Sequence, residues 1–278
     1  MIGSTRPTST DEFAEIELQV AGSAVSCLSM GTGPQALLLH GLNGRGSVLP
    51  LARELATRFR VVVPSHPGWD DEPTITGVDS ATDLAERYAE LCEQLDNLVG
   101  IVGCSFGAWI AMQMAATVTR NSASVVLVSP IGVKAGSRES RDYLDLFAVS
   151  HEEVMRAFYG GRDRWPDFSA WTDEEFLAMA RAQESVARYG WQPYLHDPKL
   201  ARRLRRIAAP TLVICGDADG VVLNRDVFGM VVEGIPRAQA ATVGGAGHIV
   251  EQTHAGEVSK LIVGHLSGVG ISRDRERA

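Results

Sequence analysis

A serine lies between two glycines in the sequence GCSFG, residues 103 to 107. The pattern G-x-S-x-G can form a sharp turn that presents a serine hydroxyl at the end of a strand. Such a hydroxyl attacks a carbonyl carbon once a base removes its proton. Ser105 is therefore a candidate nucleophile, and the alternative is a small residue in a tight turn.

A nucleophilic serine needs a base, and the base needs a carboxylate that orients it. The stretch ATVGGAGHIVEQ places His248 after a strand-like run and a glycine-rich turn. Another strand-like run, PTLVICGDAD, ends in Asp217 and Asp219, and either carboxylate could orient the histidine. The chain thus contains a nucleophile, an acid and a base in the order Ser, Asp, His.

Apolar runs along the chain predict the sheet that would position these residues. FAEIELQV and AVSCLSM alternate between apolar and polar residues, which predicts an antiparallel edge hairpin. Continuous apolar runs typical of buried parallel strands follow: QALLLHG, RVVVPSH, LVGIVGCS, SVVLVSP and PTLVICGD. Helical periods separate most of them, which predicts βαβ units. Ser105 falls between a predicted strand and a predicted helix, the context that its motif requires.

The alternation of strands and helices breaks between residues 133 and 206. Three or four helix candidates and many aromatic residues occupy this stretch, and Thr172 with Glu175 forms a capping-box pattern. Roughly seventy residues are too many for a connecting loop. They predict a helical lid over the carboxyl ends of the strands, where open α/β proteins bind ligands. A second small helical domain packed elsewhere is the alternative.

These patterns divide the chain into a core, an insertion and two ends. We expect an α/β core at residues 13–132 and 207–268, and the lid at 133–206. A polar stretch at 1–12 predicts a flexible leader. The highly charged stretch at 269–278 predicts a disordered tail.

Composition excludes several classes of partner. The net charge of −8 argues against nucleic acid and against an anionic membrane surface. The basic run ARRLRRI, residues 201 to 207, is read as a solvated helix face, with a polyanion site as the alternative. No stretch is apolar enough to cross a membrane, and four cysteines without CxxC spacing favour a reducing compartment. We expect a cytoplasmic monomer or homodimer with a small-molecule substrate, no metal and no cofactor.

The sequence resembles the α/β-hydrolase fold superfamily over nearly all of residues 35–267. The resemblance lies in five segments: LLLHGLNG, PSHPGWDDEP, GCSFGAW, PTLVICGDADGVV and GAGHIVEQ. It implies an α/β fold with a mostly parallel eight-stranded sheet flanked by helices and an inserted helical lid. It also implies Ser105 as nucleophile, His248 as base and Asp219 as acid, because the acid follows Gly216 by three residues. Asp217 is the fallback for the acid.

The resemblance further implies an oxyanion hole made of two backbone N–H groups, those of Leu42 and Phe106. Their side chains are expected to form apolar walls of the substrate pocket. His40 is expected to support this turn rather than to transfer protons, and Cys104 to point into the core. His66 and His196 are expected to be solvated loop residues. Further candidates for the substrate pocket are Asn43, Trp109, Trp165 and Trp191.

The resemblance implies a serine hydrolase that cleaves an ester or related acyl bond through an acyl-enzyme. The aromatic-rich lid predicts a medium-sized, largely apolar substrate. One alternative is a meta-cleavage type C–C bond hydrolase, in which Arg181 or Arg188 would bind the substrate carboxylate. Others are a polyketide-pathway tailoring hydrolase or thioesterase, and a non-catalytic ligand-binding protein.

Overall fold

A computed structural model describes residues 12–118, 123–137 and 139–276. Residues 1–11 of the predicted leader lie outside this range. The strands are β1 Ala14–Val20, β2 Ser23–Met30, β3 Gln35–Leu39, β4 Arg60–Pro64, β5 Leu98–Cys104, β6 Ser124–Val128, β7 Thr211–Gly216 and β8 Ala238–Val243.

The strands form one eight-stranded sheet in the order β1-β2-β4-β3-β5-β6-β7-β8. β1 and β2 form an antiparallel hairpin, β2 pairs antiparallel with β4, and the remaining pairs are parallel. The predicted mostly parallel sheet with its edge hairpin is therefore confirmed. β5 lies inside the sheet between β3 and β6, so its carboxyl end is flanked by strands on both sides.

The helices are α1 Leu49–Leu55, α2 Ala81–Glu93, α3 Phe106–Gln113, α4 His151–Tyr159, α5 Asp173–Gly190, α6 Leu200–Arg203, α7 Asp226–Gly234, α8 Val250–Thr253 and α9 Ala255–Glu276. The capping box predicted for α5 is present, with the Thr172 side chain accepting from the N–H of Glu175. A π-helical stretch at Met114–Val118 follows α3, where the sequence predicted one continuous helix.

Two apolar clusters lie on the two faces of the sheet, and the strands alternate between them. In β5, Ile101 belongs to the cluster that includes α2 and α3, whereas Val102 and Cys104 belong to the cluster that includes α1 and α9. Successive side chains of a strand point to opposite faces. Cys104 therefore points into the core, as its position beside Ser105 predicts.

The predicted insertion, residues 133–206, contains α4, α5 and α6. Two isolated bridges connect this region to the core, one between Gly132 and His196 and one between Tyr143 and Val222. At the other end of the chain, α9 continues to Glu276, and residues 277–278 lie outside the described range. The disordered tail expected at 269–278 stays a prediction. No helix among the described residues is both long enough and apolar enough to span a membrane.

Candidate active site

Ser105 occupies the turn between β5 and α3 in a strained conformation. Its φ is 51° and its ψ is −110°, and a positive φ is uncommon outside glycine. Its N–H donates to the carbonyl of Val128, and its own carbonyl accepts from the N–H groups of Ala108 and Trp109. Backbone hydrogen bonds on both sides therefore fix the turn. A Cβ at Gly107 would collide with the carbonyl oxygen of Leu39, which explains the second glycine of the motif.

Three buried side chains form a continuous chain of hydrogen bonds. The Oγ of Ser105 lies 2.7 Å from the Nε2 of His248. The Nδ1 of the same ring lies 2.8 Å from the Oδ2 of Asp219. The Ser105 residue is only 2% exposed, and the other two side chains are fully buried. This arrangement can move a proton from the hydroxyl to the imidazole while the carboxylate stabilises the resulting cation.

The second oxygen of Asp219 is also bonded. Its Oδ1 accepts hydrogen bonds from the N–H groups of Val221 and Val222, at 2.9 and 3.1 Å. Asp217, the fallback, is exposed and accepts instead from the N–H of Gly245, at 2.6 Å. Of the two carboxylates, only Asp219 contacts His248, and Asp217 braces the glycine-rich turn before it.

Helix α4 supports the loops that carry the acid and the base. The carbonyl oxygen of Ala157 accepts from the N–H of Gly220, at 3.3 Å, and from the N–H of His248, at 3.2 Å. The carbonyl oxygen of Phe158 accepts from the N–H of Ile249, at 3.1 Å. The last carbonyls of a helix have no partner within the helix, so they are available to other segments. The sequence does not reveal this role, because any residue type supplies a backbone carbonyl.

The predicted oxyanion donors lie beside Ser105. The N–H groups of Leu42 and Phe106 have no hydrogen-bond partner among the described residues. A Cβ placed on Gly41 would lie 3.0 Å from the Cβ of Ser105, so this turn approaches the serine closely. The indole N–H of Trp69 donates to the carbonyl of Leu42, at 3.1 Å, and fixes the turn. Two unpaired N–H groups could therefore stabilise an oxyanion here.

His40 and His66 form a buried pair behind the oxyanion turn. The N–H of His66 donates to the Nε2 of His40, at 3.0 Å, and the two rings are 3.7 Å apart. Burial lowers the pKa of His40 to about 3, so the ring is neutral. The expectation that His66 is solvated is wrong, because it is fully buried and its Nδ1 lies 2.6 Å from the hydroxyl of Tyr88. The two histidines therefore connect the oxyanion turn to the segment after β4, and they do not face the cleft.

A cluster of aromatic rings surrounds Phe106, the residue after Ser105. The ring of Phe106 lies 5.5 Å from Trp69, 5.9 Å from Tyr189 and 5.7 Å from Trp109. The hydroxyl of Tyr189, near the end of α5, donates to the carbonyl of Pro67 at 3.1 Å. Phe106 and Leu42 are both buried, which agrees with the expected apolar walls. No pattern in the sequence singles out Tyr189.

Two cavities lie on either side of α5. A cavity of about 700 Å³ is enclosed by the first turn of α2, by α3 and by the chain from the end of α5 to Arg203, and we call it the α3–α5 cavity. A smaller one, of about 280 Å³, lies between α5 and residues 68–74. Trp109 and Trp191 line the larger cavity as predicted pocket residues. Asn43 is exposed and Trp165 packs against the core, and neither lines these two cavities.

The two arginines considered for a substrate carboxylate differ in their partners. Arg181 donates to the carbonyl of Asp70, at 3.0 Å, and forms an ion pair with Asp71. Arg188, two turns further along α5, has no ion-pair or hydrogen-bond partner among the described residues and lines both cavities. Only Arg188 is therefore free to bind a ligand in this arrangement.

A buried acid without a role in the triad lies in α8. Glu251 is fully buried, and neither carboxylate oxygen accepts a hydrogen bond from another described residue. Burial raises the pKa of this carboxyl to about 7. It lies near Tyr159 and near Cys104, the residue before Ser105.

Comparison with known proteins gives a family match over most of the chain. Residues 36–261 match the model of the alpha/beta hydrolase family. A pimeloyl-[acyl-carrier protein] methyl ester esterase from Xanthomonas oryzae pv. oryzae is 25% identical, over 86% of this chain and 98% of that protein. The polyketide synthase ThaQ from Burkholderia thailandensis is 27% identical over 95% of this chain, which corresponds to only 14% of that much longer protein.

Solved structures of low sequence identity share the fold. A membrane phospholipase A has a TM-score of 0.75 and 23% identity, over 92% of this chain and 86% of that one. A putative lipase from Acinetobacter baumannii has a TM-score of 0.74 and 21% identity, over 94% and 93%. A 2-hydroxy-6-oxo-6-phenylhexa-2,4-dienoate hydrolase from Rhodococcus has a TM-score of 0.71 and 20% identity, over 92% and 99%.

Proposed function

The chain belongs to the alpha/beta hydrolase family, and on this basis we propose that it is a serine hydrolase that cleaves esters through an acyl-enzyme. The observation that carries the proposal is the buried, continuous hydrogen-bonded chain from Ser105 through His248 to Asp219. A serine hydroxyl becomes an effective nucleophile only when a positioned base accepts its proton.

In the proposed reaction, the Oγ of Ser105 attacks the ester carbonyl while its proton moves to the Nε2 of His248. Asp219 accepts the Nδ1–H and stabilises the imidazolium. The N–H groups of Leu42 and Phe106 donate to the tetrahedral oxyanion, and each such donor contributes roughly 3 to 4 kcal/mol to the transition state. His248 then protonates the leaving alcohol, and water activated by the same ring hydrolyses the acyl-enzyme.

The walls of the site support a medium-sized substrate with apolar parts. The stacked rings of Trp69, Phe106 and Tyr189 provide a flat apolar surface next to the serine. The esterase from Xanthomonas acts on a methyl ester, which supports ester cleavage as the reaction. We assign Tyr189, the one ring of this group that the segment 133–206 contributes, to a lid formed by that segment. We assign the protein to the cytoplasm because its four cysteines are free.

The test combines a covalent probe with substrates. Wild-type protein and the Ser105→Ala variant are incubated with a fluorophosphonate probe and with p-nitrophenyl esters of increasing chain length. We expect labelling and turnover in the wild type and neither in Ser105→Ala, with Cys104→Ala as the control that keeps both. If the wild type shows neither labelling nor turnover, the proposal is wrong. Rapid cleavage of a dienol-diketone together with poor ester turnover would assign C–C bond hydrolysis instead.

A further inference from the structure

The α3–α5 cavity begins one helical turn from the proposed nucleophile. Trp109 and Gln113 are spaced by four residues and therefore lie on one face of α3, a helix whose first residue, Phe106, directly follows Ser105. Trp109 and Gln113 both line the cavity. A rise of about 1.5 Å per residue places Trp109 about 4.5 Å and Gln113 about 10.5 Å along the helix from Phe106. The cavity thus lies along a face of the helix that begins next to the serine.

Two residues of the cavity wall belong to an aromatic layer that includes Phe106, the residue after Ser105. Trp109 and Tyr189 line the cavity, and both rings contact Phe106. The indole N–H of Trp109 is buried and has no hydrogen-bond partner among the described residues. An unpaired buried donor is costly, and a ligand oxygen would satisfy it. The inner wall therefore offers both an apolar surface and one unused hydrogen-bond donor.

The charges that line the cavity differ from those of the whole chain. Three cations and two carboxylates line it, a net charge of +1, whereas the chain carries −8. Arg203 is already paired, because it donates to Asp197 at 3.1 Å and to Gln113 at 3.3 Å. The side chains of Arg188 and Lys199, both exposed residues, have no ion-pair or hydrogen-bond partner among the described residues.

The remaining carboxylate lies at the rim. Asp79 is exposed just before α2, and the side chain of Asp83 closes the capping box of that helix. The first turn of α2, which also lines the cavity, carries partial positive charge at its N-terminus. The cavity is therefore lined by two unpaired cations and by a helix N-terminus, beside its aromatic wall. This arrangement favours an anionic group in the cavity.

We propose that the α3–α5 cavity binds the remote end of an elongated ester substrate, and that Arg188 and Lys199 select substrates in which this end carries an oxyanion, either a carboxylate or a phosphate ester. This inference rests on the proposed ester hydrolysis and adds its substrate class. The apolar middle of the substrate contacts Trp109 and Tyr189 and displaces the aromatic layer to reach Ser105. The unpaired indole N–H of Trp109 donates to an oxygen along the chain.

The test compares matched anionic and neutral esters. The anionic set consists of p-nitrophenyl monoesters of linear dicarboxylic acids of increasing length, and the neutral set consists of the same esters with the free carboxyl capped as a methyl ester. We expect the wild type to prefer the anionic member in kcat/KM by about tenfold or more, since hydrogen bonds to charged groups are worth more than about 1.4 kcal/mol. The preference is expected to appear once the chain is long enough to reach the cations.

Two double variants test whether Arg188 and Lys199 cause the preference for anionic esters. Arg188→Gln/Lys199→Gln is expected to reduce the ratio of anionic to neutral kcat/KM to near one. Arg202→Gln/Arg205→Gln removes the same charge from exposed positions that do not line the cavity, and it is expected to keep the ratio. An unchanged ratio in Arg188→Gln/Lys199→Gln, or a ratio near one in Arg202→Gln/Arg205→Gln, would contradict the assignment of the preference to Arg188 and Lys199.

A second pair of substrates distinguishes the two anions. Acyl-pantetheine and acyl-phosphopantetheine thioesters differ only in the phosphate, so a preference for the second identifies a phosphate ester as the natural anion. If neutral and anionic members of both pairs are cleaved equally well by the wild type, the inference is wrong while ester hydrolysis stands. If none is cleaved, ester hydrolysis itself fails.

Discussion

Helices α4 and α5 both belong to the inserted segment, but they are joined to the core in different ways. α4 is joined through its backbone, since the carbonyls of Ala157 and Phe158 accept hydrogen bonds from the loops of the acid and the base. α5 is joined through side chains, with Arg181 bound to Asp71 and Tyr189 bound to the carbonyl of Pro67.

The difference indicates a division of roles within one insertion. Backbone bonds from α4 fix the distance between the acid and base loops, so α4 acts as part of the support of the triad. Side chains of α5 form the cover over Phe106 and a wall of the α3–α5 cavity, and they can change without moving the triad. The sequence predicts a single lid over residues 133–206, whereas α4 and α5 contact the core in different ways.

The largest effect is expected at the acid that α4 helps to position. Asp219→Asn should lower kcat on the order of 10⁴-fold, because an amide cannot stabilise the imidazolium and favours the wrong tautomer. Steady-state ester kinetics measure the loss. Asp217→Asn is the matched control in the same loop and should cost little. If the two variants exchange these outcomes, Asp217 is the acid.

The second prediction tests whether α4 positions His248. A Cβ at Gly247 would collide with the backbone of α4, at Phe158 and Gly160, whereas Gly244 in the same turn has open space. Gly247→Ala should displace His248 and lower kcat on the order of 10²-fold, with a stability loss of about 1 to 3 kcal/mol. Gly244→Ala should leave both unchanged. Equal kinetics and thermal unfolding in the two variants would show that α4 does not position the base.

A third prediction uses the buried acid behind the serine turn. Because burial raises the pKa of Glu251 to about 7, the folded protein keeps this proton at pH values where the unfolded chain, near its ordinary value of 4.5, has lost it. The free energy of unfolding contributed by this group therefore falls as the pH rises from 4.5 through 7 and then levels. Between pH 5.5 and pH 8 the loss is about 2 kcal/mol.

Urea unfolding at these pH values measures that slope, and Glu251→Gln should remove it. Glu184, an exposed acid of α5 that lines the smaller cavity, provides the matched control, because Glu184→Gln should leave the slope intact. If the slope persists in Glu251→Gln, other titrating groups cause it.

The smallest effect is expected for the side-chain contact of α5. The carboxylate of Asp71 is largely exposed, so solvent weakens its ion pair with Arg181 to about 0.5 kcal/mol or less. Arg181→Gln should therefore speed amide hydrogen exchange in α5 by about twofold and leave α4 unchanged. Arg156→Gln, which breaks an ion pair within α4, is the control. Faster exchange in α4 after Arg181→Gln would contradict the independence of the two helices.

Local patterns predicted the sheet, Ser105 as the candidate nucleophile and His248 as the candidate base. Continuous apolar runs mark buried strands, and the turn before α3 needs Gly107, so both leave a record in residue types. The choice of Asp219 over Asp217 required the family resemblance. Both carboxylates follow the same strand-like run, and their residue types do not show which side chain points to His248.

Other parts of the site could not be predicted because they depend on long-range contacts. The role of Ala157 rests on a carbonyl oxygen, which every residue has. The difference between Arg181 and Arg188 rests on whether a carboxylate from a distant loop lies nearby. His66 was expected to be solvated because a loop position says nothing about the segments that pack over it.

The central claim is that Ser105 becomes acylated during turnover. Rapid acid quenching of the reaction with a p-nitrophenyl ester, followed by mass spectrometry of the digested protein, measures this directly. The account predicts one acyl group per chain on the peptide that contains Ser105, and none in Ser105→Ala. Turnover without an acyl-enzyme, or an acyl group on Cys104 instead, would contradict it.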